Sequence, residues 1–467
     1  MEGVVIFKDK NKNSYLYSIA KKKLTYISPL LYNIISYYQK NKSLHGFKAS
    51  NSKEEITNAT KQFYFYKTNG FFSNYNLVLL HKINPDHIEK GISQVYNITF
   101  EVTQKCNLNC YYCIYGDLYN NKENTHYKNM SFEVAKSMID YMFDKYNEKN
   151  NLSINRIISI GFYGGEPLLN FILIEKIVKY INSKDCTNFF IEYSMTTNGL
   201  LLEKYYNFLV KNNFILLVSL DGNFNTSNYR VGINGKKTFD KINENIELIR
   251  KEYPSYFETR LSFNSVLHDK NDIVNTINYI KKKYNKTPRF SEISESSALQ
   301  KNEIKKIKRN IAEEIKINQK KISKEDLMNI DPQYNYINKF FRSLIYLKYE
   351  SLSELMNSSK ISAFYPTITC LPLSFKIFLS VDGYIYPCEK IGYKYPLGCI
   401  DEKGDVVFNL DKVSDKYADY YNNISKSCKE CWNFYTCSTC LYEKNFVCKT
   451  ITRKEFSERL EYFINNL

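Results

Sequence analysis

The sequence predicts an α/β protein: a partial (β/α)6 TIM-like barrel, with a small α+β module before it and a cysteine-rich domain behind it. Three observations carry that prediction. From about residue 96 to 295, short apolar strands alternate with amphipathic helices, the pattern of a parallel sheet with helices outside. The first ninety residues break this alternation, with three strands followed by helices. Eight of the twelve cysteines fall between Cys370 and Cys448.

In chain order, "VVIF" (Val4–Phe7), "YLYSI" (Tyr15–Ile19) and "LTYI" (Leu24–Ile27) read as strands. Ser28-Pro29 is a cap and first-turn pair for a helix, and Ser52 with Glu55 makes a capping box for another. The barrel strands are "NITFEVT", "RIISIGFYGG", "FFIEYSMTTNG", "FILLVSLDG", "TRLSFNSVL" and "RFSEIS". Helices are expected at 131–147, Pro167–Ile181, Leu202–Lys211, Thr238–Lys251 and Asn271–Lys283. In such barrels the chemistry sits at the C-terminal ends of the strands. Residues 296–365 read as a connector of charged helices, "NEIKKIKRNIAEEIKINQKK" and "INKFFRSLIYLKYESLSELM". The tail, 366–467, reads as loop-rich and in need of metal to fold.

Composition narrows the class. Hydrophobic residues make up 43% and charged residues 24%, as in a soluble globular protein. No apolar run reaches the length of a membrane span, and "MEGVVIFKDKNKN" lacks the pattern of a secretion signal, so the expected location is cytoplasmic. The net charge of +16 is spread along the whole chain, which argues against a dedicated nucleic-acid surface and suits an acidic peptide equally well. Twelve cysteines without an export signal point to metal or redox work rather than disulfides. None of the five histidines falls inside a cysteine cluster, and all-thiolate ligation favours iron–sulfur or zinc.

The motif that carries chemistry is Cys106-x3-Cys110-x2-Cys113, directly after the first barrel strand. Three ligands suit an iron–sulfur cube left open at one iron, or a zinc site completed from elsewhere. "GGEP", Gly164–Pro167, ends the next strand; its glycines permit close backbone approach and Glu166 can accept from an ammonium group. "SMTTNG" offers Ser194, and "SLDG" is followed by Arg230. In the tail stand Cys370, then Gly-x4-Cys ending at Cys388, then Cys428-x2-Cys431-x5-Cys437-x2-Cys440, then Cys448. Zinc-ribbon ligation by Cys428, Cys431, Cys437 and Cys440 is the alternative for that run. Cys186 has no partner spacing and reads as a structural thiol.

These motifs together resemble the radical S-adenosylmethionine (SAM) enzymes with a SPASM extension. The resemblance implies a [4Fe–4S] cluster on Cys106, Cys110 and Cys113, with SAM on its open iron and Tyr112 packed against the cofactor. It implies that Gly164, Gly165, Glu166 and Pro167 hold the methionine amino end, that Ser194 makes a polar contact, and that Arg230 pairs with the SAM carboxylate. Cys428, Cys431, Cys437 and Cys448 would hold an outer auxiliary cluster, and Cys370, Cys388 and Cys440 an inner one, three [4Fe–4S] clusters in all. Cys399 is either a fourth ligand of the inner cluster or a small buried side chain. The x2 before Cys440 departs from the family's x3.

Residues 1–90 resemble, in element order, the winged-helix leader-recognition module of peptide-modifying enzymes; a lid or dimerisation module is the alternative. Residues 91–295 would be the radical SAM barrel. The expected activity is maturation of a ribosomally made precursor peptide with a leader, by a cross-link, thioether first. A ferredoxin or flavodoxin would supply electrons. The competing activity is oxidation of a sulfatase Cys or Ser to formylglycine. Sulfatase-maturing relatives have a catalytic Asp where Glu389 stands here, so Glu389 is the candidate base. Iron–sulfur electron transfer and RNA modification are the readings from other classes.

Overall fold

The structure, a computed structural model, describes residues 3–21, 23–73, 78–79, 81–119, 128–148, 156–294, 298–330, 363–364, 371–391, 393, 395–432, 437, 441–442 and 451–466. At the N-terminus β1 (Val4–Lys8), β2 (Ser14–Ser18) and β3 (Lys23–Ile27) form an antiparallel sheet in that order. Helices α1 (Pro29–Asn41) and α2 (Lys53–Thr68) follow. The Ser28 hydroxyl accepts from Leu31 N–H, with Pro29 in the first turn of α1. Ser52 and Glu55 close the capping box read from the sequence. One sheet face, through Val4, Leu16 and Ile27, packs on Leu31, Ile34, Ile35 and Phe63.

β4 (Val78–Leu79) and α3 (Pro85–Ile92) lead into six parallel strands: β5 (Asn97–Thr103), β6 (Arg156–Gly164), β7 (Phe189–Thr197), β8 (Ile215–Ser219), β9 (Leu261–Leu267) and β10 (Arg289–Glu292). They lie side by side in chain order. Between them run α4 (Phe132–Asn147), α5 (Phe171–Asn182), α6 (Leu202–Lys211), α7 (Phe239–Glu252), α8 (Pro254–Arg260) and α9 (Ile273–Tyr284). The predicted helix at Pro167 begins as a 3-10 turn, Pro167–Asn170, before α5. The short helix α8 was not read from the sequence.

Alternation along the strands separates two faces. Ile98, Phe100, Val102, Ile158, Ile160, Phe162, Leu216, Val218 and Phe263 pack with Met138, Ile177, Ile246 and Ile280 of the helices in one core. The alternate positions carry Thr99, Glu101, Thr103, Ser159, Tyr163, Ser194, Ser219 and Asn264. A closed (β/α)8 barrel fills its interior with branched apolar side chains. Here the inner face is polar and much of it half-exposed, which is the composition of a binding surface.

α10 (Lys301–Ile307), α11 (Ile311–Asn318) and α12 (Lys324–Ile330) occupy the first part of the expected connector; "INKFFRSLIYLKYESLSELM" lies outside the described residues. β11 (Ala363–Phe364) pairs with β4. The tail differs from its loop-rich expectation. β12 (Lys376–Leu379) adds parallel to β5, and β13 (Tyr384–Tyr386), β14 (Gly398–Ile400) and β15 (Val406–Phe408) continue antiparallel, giving a ten-stranded sheet.

α13 (Leu410–Glu430) then runs 21 residues into Cys428, capped by Asn409. Its buried Val413, Tyr417, Tyr421, Ile424 and Cys428 recur at helical spacing and join the barrel core. The tyrosines masked that pattern because they read as polar loop residues as easily as core. α14 (Arg453–Asn466) closes the chain. Its Phe456 and Leu460, with Trp432, pack on the second face of the N-terminal sheet through Val5, Phe7, Tyr17 and Ile19.

Candidate active site

The segments following β5, β6, β7 and β8 carry the motif residues at one mouth. Past β5 the chain turns on itself: Cys113 N–H donates to Cys110 O at 3.0 Å, and Gly116 N–H to Cys113 O at 2.8 Å. The loop after β8 staples it, through Asn109 N–H to Val231 O (2.8 Å) and Tyr111 N–H to Tyr229 O (3.1 Å). Cys106, Cys110 and Cys113 thereby come within electrostatic reach of one another, each half-buried. Burial pushes the Cys106 and Cys110 thiols up to about 12 and raises Cys113 as well. Leu108 N–H, 3.4 Å from Cys106 Sγ, and the Arg230 guanidinium near Cys110 only partly offset it.

Soft donors held as thiols by burial need a nearby cation to become thiolates. An iron–sulfur cluster supplies one, so the donor set fits that group. Among the described residues no three His, Cys, Asp or Glu side chains converge as the shell of a single metal ion.

The glycines of GGEP answer to backbone. Gly164 has φ +137°, and a Cβ there would lie 2.0 Å from Thr103 O; at Gly165 it would lie 2.3 Å from Lys105 O. They let the end of β6 press on the strand leading into the cysteine loop, where Gly165 N–H donates to Thr103 O (3.0 Å) and Glu166 N–H to Lys105 O (2.8 Å). Glu166 is fully buried. Its carboxylate accepts from the Thr197 hydroxyl (2.8 Å), Leu168 N–H (3.2 Å) and Asn198 N–H (2.7 Å). Burial still pushes it up to about 7. Pro167 opens the 3-10 turn. Asn198 reaches back to the cysteine loop, its Nδ2 donating to Asn107 Oδ1 at 2.7 Å. Ser194 sits on the inner face beside Ser159, with 3.4 Å between hydroxyls.

Arg230 is 8% exposed and clamps Asp221 with two nitrogens, Nε to Oδ2 at 2.8 Å and one terminal nitrogen to Oδ1 at 3.2 Å. Asp221 also accepts from the Tyr112 hydroxyl and from Val266 N–H (2.9 Å). Burial works to raise Asp221, but Arg230, His268 and Tyr112 outweigh it and hold the carboxyl down at about 2. Tyr112 stacks on His268 with centroids 5.6 Å apart, and Arg230 lies 5.5 Å over its ring. His268 Nε2 stops 3.8 Å from Asp221 Oδ2. The sequence offered Arg230 and Tyr112 but not the Asp221 and His268 that hold them. The quoted "SLDG" contained the signal, an Asp at a strand end before a glycine.

In the tail, Cys388 precedes a short 3-10 turn, Glu389–Ile391, and Glu389 Oε2 pairs with Lys376 Nζ at 2.5 Å. Tyr163 of β6 is raised first by burial and then by Glu389, Cys113, Glu101 and Cys388. That phenol therefore lies within electrostatic range of both the barrel cysteines and the tail. Cys399 is half-buried on β14, Cys428 and Cys431 are buried at the end of α13, and Cys437 is half-buried. Cys370, Cys440 and Cys448 lie outside the described residues. Cys186 is half-buried against the barrel core.

Residues 100–280 match the Radical SAM superfamily. That stretch of the chain is a radical SAM domain. MJ0907, an uncharacterized protein of Methanocaldococcus jannaschii, is 42% identical over 127 residues, 27% of this chain and 38% of that protein. The radical SAM cyclopropyl synthase TigE of Paramaledivibacter caminithermalis is 30% identical over 252 residues, 51% of this chain and 50% of TigE. A cysteine-type anaerobic sulfatase-maturating enzyme of Clostridium novyi is 25% identical over 352 residues, 71% of this chain and 83% of that enzyme. The chain thus spans half or less of the first two relatives. Among the described residues no helix is long and apolar enough to cross a membrane.

Proposed function

We propose that this radical SAM chain is a peptide maturase that abstracts a C–H hydrogen from a ribosomally made precursor and installs a cross-link. The observation that carries the proposal is the pairing of β12 with β5, which seats the tail segment leading to Cys388 and Glu389 against the barrel strand that leads into Cys106. A reduced [4Fe–4S] cluster with SAM supplies a 5′-deoxyadenosyl radical when bound. Cys106, Cys110 and Cys113 would hold that cluster, and Arg230, oriented by Asp221, would meet an anionic group of the cofactor. Ser194 and Ser159, half-exposed on the polar inner face, would bind cofactor and substrate. Glu389, held by Lys376, would take the proton released when the bond closes.

The tail cysteines would hold two further [4Fe–4S] clusters as electron acceptors, and residues 1–90 would receive the leader. A ferredoxin or flavodoxin remains the proposed electron donor. A thioether is the bond favoured by the sequence reading; TigE's name supports ring closure at carbon instead. Sulfatase maturation is the second reading, favoured by the coverage of the Clostridium novyi enzyme.

The test is co-expression, under anaerobic conditions, with a short peptide encoded beside the gene, followed by mass spectrometry. Loss of two hydrogens, with a cysteine no longer alkylated for a thioether, is expected. Formylglycine in a sulfatase peptide instead would replace this reading with the second. Glu389→Gln is expected to lower product formation about 100-fold or more if the carboxylate is the base.

A further inference from the structure

One charged side chain inside the barrel has no part in the reading above. Glu101 is completely buried near the end of β5, on the inner face, directly beside Tyr163 of β6. Its carboxylate accepts from three neutral donors. The Tyr115 hydroxyl reaches Oε1 at 3.0 Å, the Tyr393 hydroxyl also bonds Oε1, and Val381 N–H donates to Oε2 at 3.1 Å. Gln104 Nε2 reaches the same Tyr393 hydroxyl at 3.4 Å.

Those donors come from two separate places. Tyr115 follows Cys113 in the barrel's cysteine loop. Val381 and Tyr393 flank Cys388 in the tail, one on each side. A single carboxylate therefore ties the chain just past Cys113 to the chain on both sides of Cys388. We propose that Glu101 is a positioning residue that locks the cysteine loop of the barrel to the Cys388 segment of the tail, and so sets the gap in which a substrate bridges them.

The energetics favour a geometric role over a stabilising one. A buried carboxylate answered only by phenols and an amide is expensive, and burial pushes Glu101 up to about 7. Apolar side chains in place of buried ionisable sets are often neutral or stabilising. A leucine here would pack, but it would not fix the direction of three donors. The two oxygens of a carboxylate do, because each accepts only along its lone-pair directions. The joint also sits where β12 adds to β5, with Phe378 opposite Thr99 and Leu379 opposite Phe100, so it pins the register at which the tail joins the barrel.

What occupies the gap rests on the peptide-maturase reading; the joint itself does not. Two measurements separate them. In the anaerobically reconstituted full chain, Glu101→Gln and Tyr393→Phe are compared with the unaltered protein by amide hydrogen exchange. The Val381 amide is expected to exchange about 10-fold faster or more in Glu101→Gln. Unchanged protection of Val381 overturns the joint. In the reconstituted protein, both variants are expected to keep iron content and SAM cleavage within about 2-fold, while cross-linked peptide per deoxyadenosine falls about 10-fold or more. Equal losses in iron, cleavage and product would mean that Glu101 serves folding alone, and would overturn the proposal. Tyr393→Phe removes one donor and leaves the buried carboxylate, so it decides the matter if Glu101→Gln does not fold. If the unaltered protein cleaves no SAM, the maturase reading fails, and the exchange result still decides the joint.

Discussion

Asp221 gathers the Arg230 guanidinium, the Tyr112 hydroxyl and Val266 N–H around one fully buried carboxylate. Removing one partner of a buried pair strands the other charge, which costs about 3–5 kcal/mol. Asp221→Ala is therefore expected to lower the thermal midpoint sharply and to release Arg230 and Tyr112 from the cysteine loop. Asp221→Asn, of the same shape, should show the electrostatic part alone. Because the folded carboxyl lies near 2, below its ordinary 3.8, its stabilisation is present above about 3.8 and is lost as pH falls toward 2. Acid unfolding of the metal-free Asn variant should lack that portion of the slope. An unchanged acid profile would show that Asp221 is not charged in the folded protein.

At the scale of elements, the strand ends were legible and their supports were not. Cys106, Cys110, Cys113 and GGEP announce themselves by spacing, because residue type and separation are what a sequence displays. Glu101, a lone charge inside the strand "NITFEVT", was not singled out, because its partners Val381 and Tyr393 lie far along the chain and only β12 pairing with β5 brings them in. The β12–β15 run and α13 were likewise hidden, the first because its strands are short, the second because tyrosines line its buried face.

The close backbone approach read from the GGEP glycines includes one to the Thr103 and Lys105 backbone. Gly164→Ala would place a Cβ 2.0 Å from a carbonyl oxygen at a φ of +137°. It is expected to cost well over about 1 kcal/mol and to reduce iron bound after reconstitution. Gly235→Ala, at φ +73° with nothing within 4 Å of the added Cβ, should cost only the backbone strain, about 1–2 kcal/mol, and leave iron unchanged. Equal iron loss in both would remove the argument that GGEP shapes the cysteine loop.

Across the whole molecule, the tail is the part that other pieces rest on. Its strands extend the barrel sheet, α13 completes the barrel core, and Trp432, Phe456 and Leu460 carry the N-terminal sheet. The three regions read from the sequence thus meet through the cysteine-rich segment, with Cys431 itself among the side chains packed on the N-terminal sheet. A module that receives a leader would then be seated on the part of the chain proposed to hold the auxiliary clusters.

The central claim is that Cys106, Cys110 and Cys113 hold the cluster that acts on SAM. The direct measurement is 5′-deoxyadenosine formation by the anaerobically reconstituted, reduced protein, beside the variant with all three cysteines changed to alanine. Steady formation by the unaltered protein, with about twelve irons bound, and none by the variant is the predicted result. Formation that survives loss of the three cysteines, or none from an unaltered protein with its iron in place, would contradict it.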